Sequence, residues 1–258
     1  MNGEPLALCA IADGVARITL NRPARHNSLV PALMADVNAA LDTVEAADVF
    51  ALVLAANGRS FSTGGDIAGF AAVPRSQRRA YADALVGALH RAILRLLALP
   101  CPVIARVHGP VTGGSCGLVF AADLVAMAPP AFIASYYADV GFGPDGGWTA
   151  LLPERIGAAR AAEILLLNRT IGPEAAMELG LASVACEDEA LDRQVDSWLG
   201  TLRGKDRGTL RAAKALLMPP ARLDAIRSGL ERERARFLEL VDTPAAEAGM
   251  ARFLGRSA

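Results

Sequence analysis

Lysine is nearly absent from this 258-residue chain: of 26 basic residues only Lys205 and Lys214 are lysines. Any recognition of phosphate would therefore fall to arginine, whose planar fork suits it. Histidine is scarce as well, with only His26, His90 and His108. The four cysteines (Cys9, Cys101, Cys116, Cys186) lie far apart, without a CxxC pair or a His/Cys cluster. That spacing argues against a zinc site or a disulfide framework and fits a reducing cytoplasm. No long hydrophobic run is uninterrupted: the most apolar stretch, near Cys116 to Met127, is broken by Asp123, so no membrane span or export segment is expected. A formal net charge of -1 leaves no basic footprint, which disfavours nucleic acid and points to a small molecule as partner.

What is abundant is apolar residues, 53% of the chain, enough for a substantial core. Leu6–Ile11 and Val15–Leu20 flank Asp13-Gly14 and predict a hairpin. Pro31 opens a helix whose Leu33, Val37, Ala40, Leu41 and Val44 recur at helical spacing. The theme then repeats: a strand at 50–55, a glycine turn, a helix over 75–99, a strand at 103–107, another glycine turn and a short helix. After about Glu187 the strands stop, and helices are expected near 188–203, 206–218, 221–241 and 244–254. In the third, Leu223, Ile226, Leu230, Phe237 and Val241 form one stripe, set against Arg227, Glu231 and Arg234. The expected division is a core over 1–187 and a helical region over 188–258.

Two motifs mislead. Gly113 to Gly117 matches the GxSxG nucleophile elbow of hydrolases, but that chemistry needs a histidine after the serine, and all three histidines precede Ser115. Gly141 to Gly146 matches GxGxxG, yet it lies far from a first βα turn, and Pro144 removes an amide from a loop meant to donate amides.

FSTGGDI (61–67) and HGPVTGGSCGL (108–118) carry more. Two glycine turns, each opening toward a helix, can point main-chain N–H groups at one spot where negative charge develops. With ITLNRPARHNSL, the GFGPDGGW segment and the terminal EAGMARFLGR, the chain resembles the crotonase (enoyl-CoA hydratase/isomerase) superfamily over nearly its whole length. That resemblance implies an α/β fold, a spiral of ββα turns with a helical C-terminal region, assembled as a homotrimer or a dimer of trimers. It implies acyl-CoA thioester substrates with coenzyme A as part of the substrate, no further cofactor and no metal. It places Gly65 and Gly114 as the two amides that hold the thioester oxygen.

The family's hydratases use two glutamates, which align with Gly117 and Tyr137 here; between Glu45 and Glu154 the chain has no glutamate at all. Asp145 in PDGGW stands where the isomerase-like branch and dehalogenase relatives place a catalytic aspartate, although a helix N-cap is the blander role for it. One carboxylate could remove a proton at the α carbon of the substrate and return it at the γ carbon. The leading expectation is thus an enoyl-CoA isomerase, the alternatives being a hydratase with a displaced carboxylate or a catalytically silent acyl-CoA binding subunit. Asp139 is a reserve candidate, on the premise that strand alternation sets it on the face of Tyr137. The resemblance also implies Arg25, with Arg22 nearby, and Arg256 at the CoA phosphates, and the backbone around Asp66 and Ile67 against the adenine, while the Asp66 side chain is expected to cap the helix after its turn. Phe70, Tyr136, Tyr137 and Trp148 are expected to wall the acyl pocket. His108 and Asp123 are expected to be structural. The loop from Ala68 to Ser76 is expected to shape the pocket.

Overall fold

The computed structural model describes residues 4–255. Its strands are β1 (Ala7–Ala12), β2 (Val15–Leu20), β3 (Ala51–Ala56), β4 (Val103–Val107), β5 (Val111–Thr112), β6 (Leu124–Met127), β7 (Ile133–Ala134) and β8 (Val184–Ala185). Between and after them run α1 (Pro31–Glu45), α2 (Ile67–Ala72), α3 (Arg75–Ala98), α4 (Cys116–Phe120), α5 (Tyr137–Val140), α6 (Leu152–Ile156), α7 (Ala158–Leu166) and α8 (Pro173–Glu178). The chain closes with α9 (Leu191–Arg203), α10 (Arg207–Leu217), α11 (Pro220–Leu240) and α12 (Pro244–Gly255).

The expected hairpin forms, with Ala12 opposite Val15 and the turn residues Asp13 and Gly14 both at positive φ, the geometry that a two-residue hairpin loop requires. From β2 onward the main sheet is parallel, in the order β1-β2-β3-β4-β6-β8. A small second sheet pairs β5 with β7, and isolated bridges extend it through Ser62–Val111 and Ile133–Ile171. β4 and β6 are each followed by a short strand of the second sheet and then by a helix: β4, β5, α4, and again β6, β7, α5. This is the expected spiral of ββα turns.

A parallel strand in the middle of the sheet is covered on both faces, and every residue of β3 is apolar and buried. Alternation splits them: Leu52 and Leu54 join the main core with Leu33, Leu41 and Ile93, while Val53 meets Ile104, Leu191 and Val195 beneath α9. Burying Leu191 and Val195 contributes about 1.5–3 kcal/mol each and secures α9 to the sheet.

The last two helices fold back onto the same chain. α11 packs along α3, and α12 packs on α2 and α5. A Cβ added at Gly249 would lie 2.0 Å from the Val140 carbonyl, so only glycine permits this approach of α12 to α5. Two expectations need correction. Residues 68–72, expected within the loop from Ala68 to Ser76, form most of α2; Asp66 caps that helix, as expected of it, by accepting from the Gly69 amide at 3.1 Å. Residues 137–140 are helical rather than extended, so the alternation premise for Asp139 fails. Among the described residues no helix is long and apolar enough to cross a membrane.

Candidate active site

The two glycine turns are pressed together by main-chain bridges. The Thr112 amide donates to the Ser62 carbonyl at 3.0 Å, and the Ser62 amide donates to Pro110 at 3.1 Å. Gly64, at φ +74, lies so near that a Cβ there would stand 2.6 Å from the Thr112 carbonyl oxygen. Ser115, fully buried, donates its hydroxyl toward the Ser62 and Thr112 carbonyls at 3.0 and 2.7 Å. The serine of the GxSxG match therefore ties the two turns together and is no nucleophile.

This packing aims the two amides. Leu29 donates to the Gly64 carbonyl at 2.7 Å, and Asp66 donates to the Leu29 carbonyl at 3.0 Å, a parallel bridge centred on Gly65. In such a bridge the central residue's own N–H points away from the partner strand. Gly114 is the second residue of a 3-10 turn over Gly113–Ser115, where first-turn amides have no intrahelical acceptor. Both glycines line one cavity of about 60 Å³, together with Ile67, Phe70, Tyr137 and Asp145.

Asp145 is buried at 6% exposure. Both of its carboxylate oxygens lie 2.9 Å from the position a Gly114 Cβ would occupy. The Tyr137 hydroxyl is hydrogen-bonded to Oδ1 and lies 2.9 Å from the Asp145 main-chain carbonyl. Burial pushes the Asp145 pKa up to about 7; the Tyr137 hydrogen bond works against that rise and the nearby charge of Glu233 adds to it. Such a group exchanges protons near neutrality. Burial also pushes Tyr137 well above its ordinary value, with Asp145 adding to the rise, so the phenol keeps its proton.

The position of the family's first glutamate has no room for a side chain. A Cβ at Gly117 would stand 2.2 Å from the Gly146 carbonyl and 2.4 Å from Ile93 Cδ1. Packing α4 directly onto the turn that carries Asp145 thus excludes a second acid there.

Other expected residues divide. Phe70 and Tyr136 line the cavity. Phe70 also meets Tyr81 and Phe142 edge-on, with ring centroids 5.1 and 5.4 Å away. Trp148 does not line it: fully buried, it packs on Phe120 at 5.3 Å and donates Nε1–H to the Gly113 carbonyl at 2.8 Å, bracing the second glycine turn from behind. An indole N–H must find an acceptor when buried, and that acceptor fixes its direction. Asp139 is exposed and outside the cavity. Asp66 bridges the first turn to Arg22 at 2.9 Å and Arg25 at 3.2 Å. Burial would raise its pKa, but the Gly69 amide and the two arginines outweigh that and hold it low. Arg22 is further fixed by Ser28, whereas Arg25 is half exposed with Asp66 as its ion-pair partner. Arg256 lies outside the described residues. His108 Nε2 sits 2.8 Å from the Gly58 carbonyl, and Asp123 accepts from the Val103 amide and Lys214, both at 2.7 Å; these are structural roles, as expected. Among the described residues no cluster of three or more His, Cys, Asp or Glu side chains could hold a metal.

The residue-by-residue reading missed Glu233, Val140, Phe142 and Leu89, and it counted Phe237 as core stripe alone. Glu233 falls at the helical spacing of Ile226, Leu230 and Phe237, and a charge inside a buried stripe is the signal that could have found it.

The family model described as enoyl-CoA hydratase/isomerase matches residues 10–258. A trans-2-decenoyl-[acyl-carrier-protein] isomerase of Streptococcus mutans is 30% identical over 213 residues, 80% of this chain and 78% of that protein. A 4-chlorobenzoyl coenzyme A dehalogenase of an Arthrobacter species is 33% identical over 66% of this chain and 62% of its own length. Among solved structures, an enoyl-CoA hydratase from Mycobacterium avium superimposes with a TM-score of 0.85 at 27% identity, covering 98% of each chain. With the ββα spiral and the two converging glycine turns already in place, the full-length match shows that this chain belongs to the enoyl-CoA hydratase/isomerase family of the crotonase superfamily.

Proposed function

We propose that this protein is an enoyl-CoA isomerase that shifts a double bond through a thioester enolate, with Asp145 as its single base. The observation that carries this reading is the placement of one buried carboxylate directly over Gly114, in the cavity that Gly65 also lines. In the reaction the Gly65 and Gly114 amides would hold the thioester oxygen, and Asp145 would take a proton from the α carbon. The electron pair would spread over the dienolate, and the same carboxyl group would return the proton at the γ carbon, so that no atom is gained or lost. Preorganised amides favour the enolate over the ground state, each such donor being worth about 3 kcal/mol. A proton affinity near neutral suits a group that must both take and return a proton. The closed Gly117 position and the phenol at 137 weigh against hydration by two carboxylates.

In this reading coenzyme A enters with the substrate, no further cofactor is needed, and the assembly is a homotrimer or a dimer of trimers. The test is a screen of aliphatic and aromatic enoyl-CoA thioesters in deuterated water, followed by NMR and mass. Double-bond migration and α-deuteration without addition of water are expected, and Asp145→Asn should lower the rate by about 10²–10⁴-fold. Undiminished migration in that variant would remove Asp145 as base. A hydrated product would favour the hydratase, and binding without exchange would favour a silent subunit.

A second reading follows from the aromatic lining formed by Phe70, Tyr136, Phe142, Phe237 and Phe253. Asp145 could instead attack an aryl ring carrying a leaving group, the substrate class in the name of the dehalogenase relatives. Halide release from 4-chlorobenzoyl-CoA in the same screen decides between the two.

A further inference from the structure

Behind the cavity lies a second buried carboxylate that the proton transfer above does not use. Glu233 of α11 is 3% exposed. Its oxygens accept from the Gly147 amide at 2.7 Å, the Thr149 amide at 2.6 Å, the Thr149 hydroxyl at 2.7 Å and the Ala150 amide at 3.0 Å. No lysine or arginine is ion-paired with it among the described residues; the nearest basic group is His90 Nε2 at 4.0 Å. That nitrogen accepts from the Gly146 amide at 3.3 Å, which requires it to be unprotonated. All four donors to Glu233 come from three residues of one turn, the turn that begins at Asp145.

We propose that Glu233 is a positioning residue for the proton transfer: it clamps the 146–150 turn that presents Asp145, and as a buried anion behind it makes Asp145 the carboxyl group that carries the proton. The inference rests on Asp145 as the base. The donor count decides between the two acids. Burial raises the Glu233 pKa above its ordinary value, but four hydrogen bonds oppose that rise, each favouring the ionised form, whereas the Asp145 carboxylate has one side-chain donor, Tyr137, and its own main-chain amide. Two buried anions in mutual range do not both ionise readily, so the less supported one holds the proton.

The other groups around Asp145 add little charge. Cys116 on α4 and Tyr137 on α5 are both held neutral by burial. On α3, burial pushes the His90 pKa down to about 3, with Arg234 adding to the effect, so that side chain is neutral too. Arg234 itself is paired with Asp83 at 2.8 Å and Glu231 at 3.4 Å. Among the described residues Glu233 is thus the one formal charge that acts on Asp145.

Glu233→Gln keeps the size and one acceptor while removing the charge. Titration of Asp145 is read in the resting protein by NMR of carboxyl-¹³C aspartate, with the resonance identified by Asp145→Asn, and again in the pH profile of kcat/KM. Both should move to lower pH by about one unit. At pH 8, kcat should fall about tenfold as the turn loosens, with KM changed less than about threefold. An unmoved Asp145 titration in folded Glu233→Gln overturns the proposal. If that variant does not fold, labelled glutamate in the wild type answers the same question: Glu233 ionised at pH 6 while Asp145 is still largely protonated supports the proposal, and the reverse order or one shared step overturns it. Failure of the base assignment looks different, because Asp145→Asn would then retain turnover while the Asp145 resonance still shifted in Glu233→Gln.

Discussion

Tyr137 and Asp145 share a hydrogen bond inside the cavity, phenol to carboxylate, with the same hydroxyl 2.9 Å from the Asp145 main-chain carbonyl. The donor stabilises the ionised aspartate and so opposes burial, which alone would lift Asp145 further above about 7. Tyr137→Phe removes that opposition. The acid limb of the pH–rate profile should move to higher pH by about one unit, so the loss at pH 7 is about fivefold and shrinks by pH 9. A loss that is equal at every pH would mean that Tyr137 only shapes the pocket.

The raised Asp145 pKa also acts on stability. Between its ordinary value of 3.8 and about 7 the folded protein holds a proton that the unfolded chain has released, so this residue's contribution to stability falls as pH rises through that window. Above it, the ionised buried acid opposes folding with a ceiling on the order of 4 kcal/mol. Asp145→Asn keeps an acceptor for Tyr137 without the charge. Its melting temperature should exceed that of the wild type by a margin that grows from pH 4 to pH 7 and then levels off. A constant margin, or none, would contradict the burial of a titrating group at this position.

Restoring a glutamate at position 117 should not create a hydratase. With a Cβ 2.2 Å from the Gly146 carbonyl, Gly117→Glu must displace the turn that carries Asp145. The expected result is a loss of stability of at least about 1–3 kcal/mol and no gain of water addition. Thermal unfolding and the absorbance of the conjugated enoyl thioester in water measure the two effects.

Arg25 is half exposed beside Asp66. If it meets the CoA phosphates, Arg25→Ala should raise KM for a CoA thioester about tenfold with kcat little changed. The corresponding pantetheine thioester, which lacks the nucleotide, should show no difference between variant and wild type. An equal effect on both substrates would place Arg25 in support of the first glycine turn instead.

Period and punctuation made most of the secondary structure legible. Asp13-Gly14 dictated the hairpin, and Pro31 with the stripe from Leu33 to Val44 dictated α1, because these signals act within a few residues. The glycine turns stand out for the same reason, whereas Asp145 stands out through the resemblance to the isomerase-like branch of the family. Asp139 misled because residues 137–140 close into a single helical turn, flanked by Tyr136 and Gly141 in the left-handed region, where an extended strand was expected. Trp148 misled because a large aromatic beside a site is equally suited to wall or brace, and its indole found the Gly113 carbonyl.

By itself the sequence determined the elements, their order and the residue types of the site, since propensity, capping and hydrophobic period are local properties of the chain. Only the tertiary structure decided that Gly65 and Gly114 line one cavity, that Gly117 admits no acid, and that Glu233 holds the turn that follows Asp145. Those facts depend on atoms about 25 to 90 residues apart meeting across parallel strands and helices, and on burial, which sets the proton affinity of a carboxyl group according to the company it keeps in space.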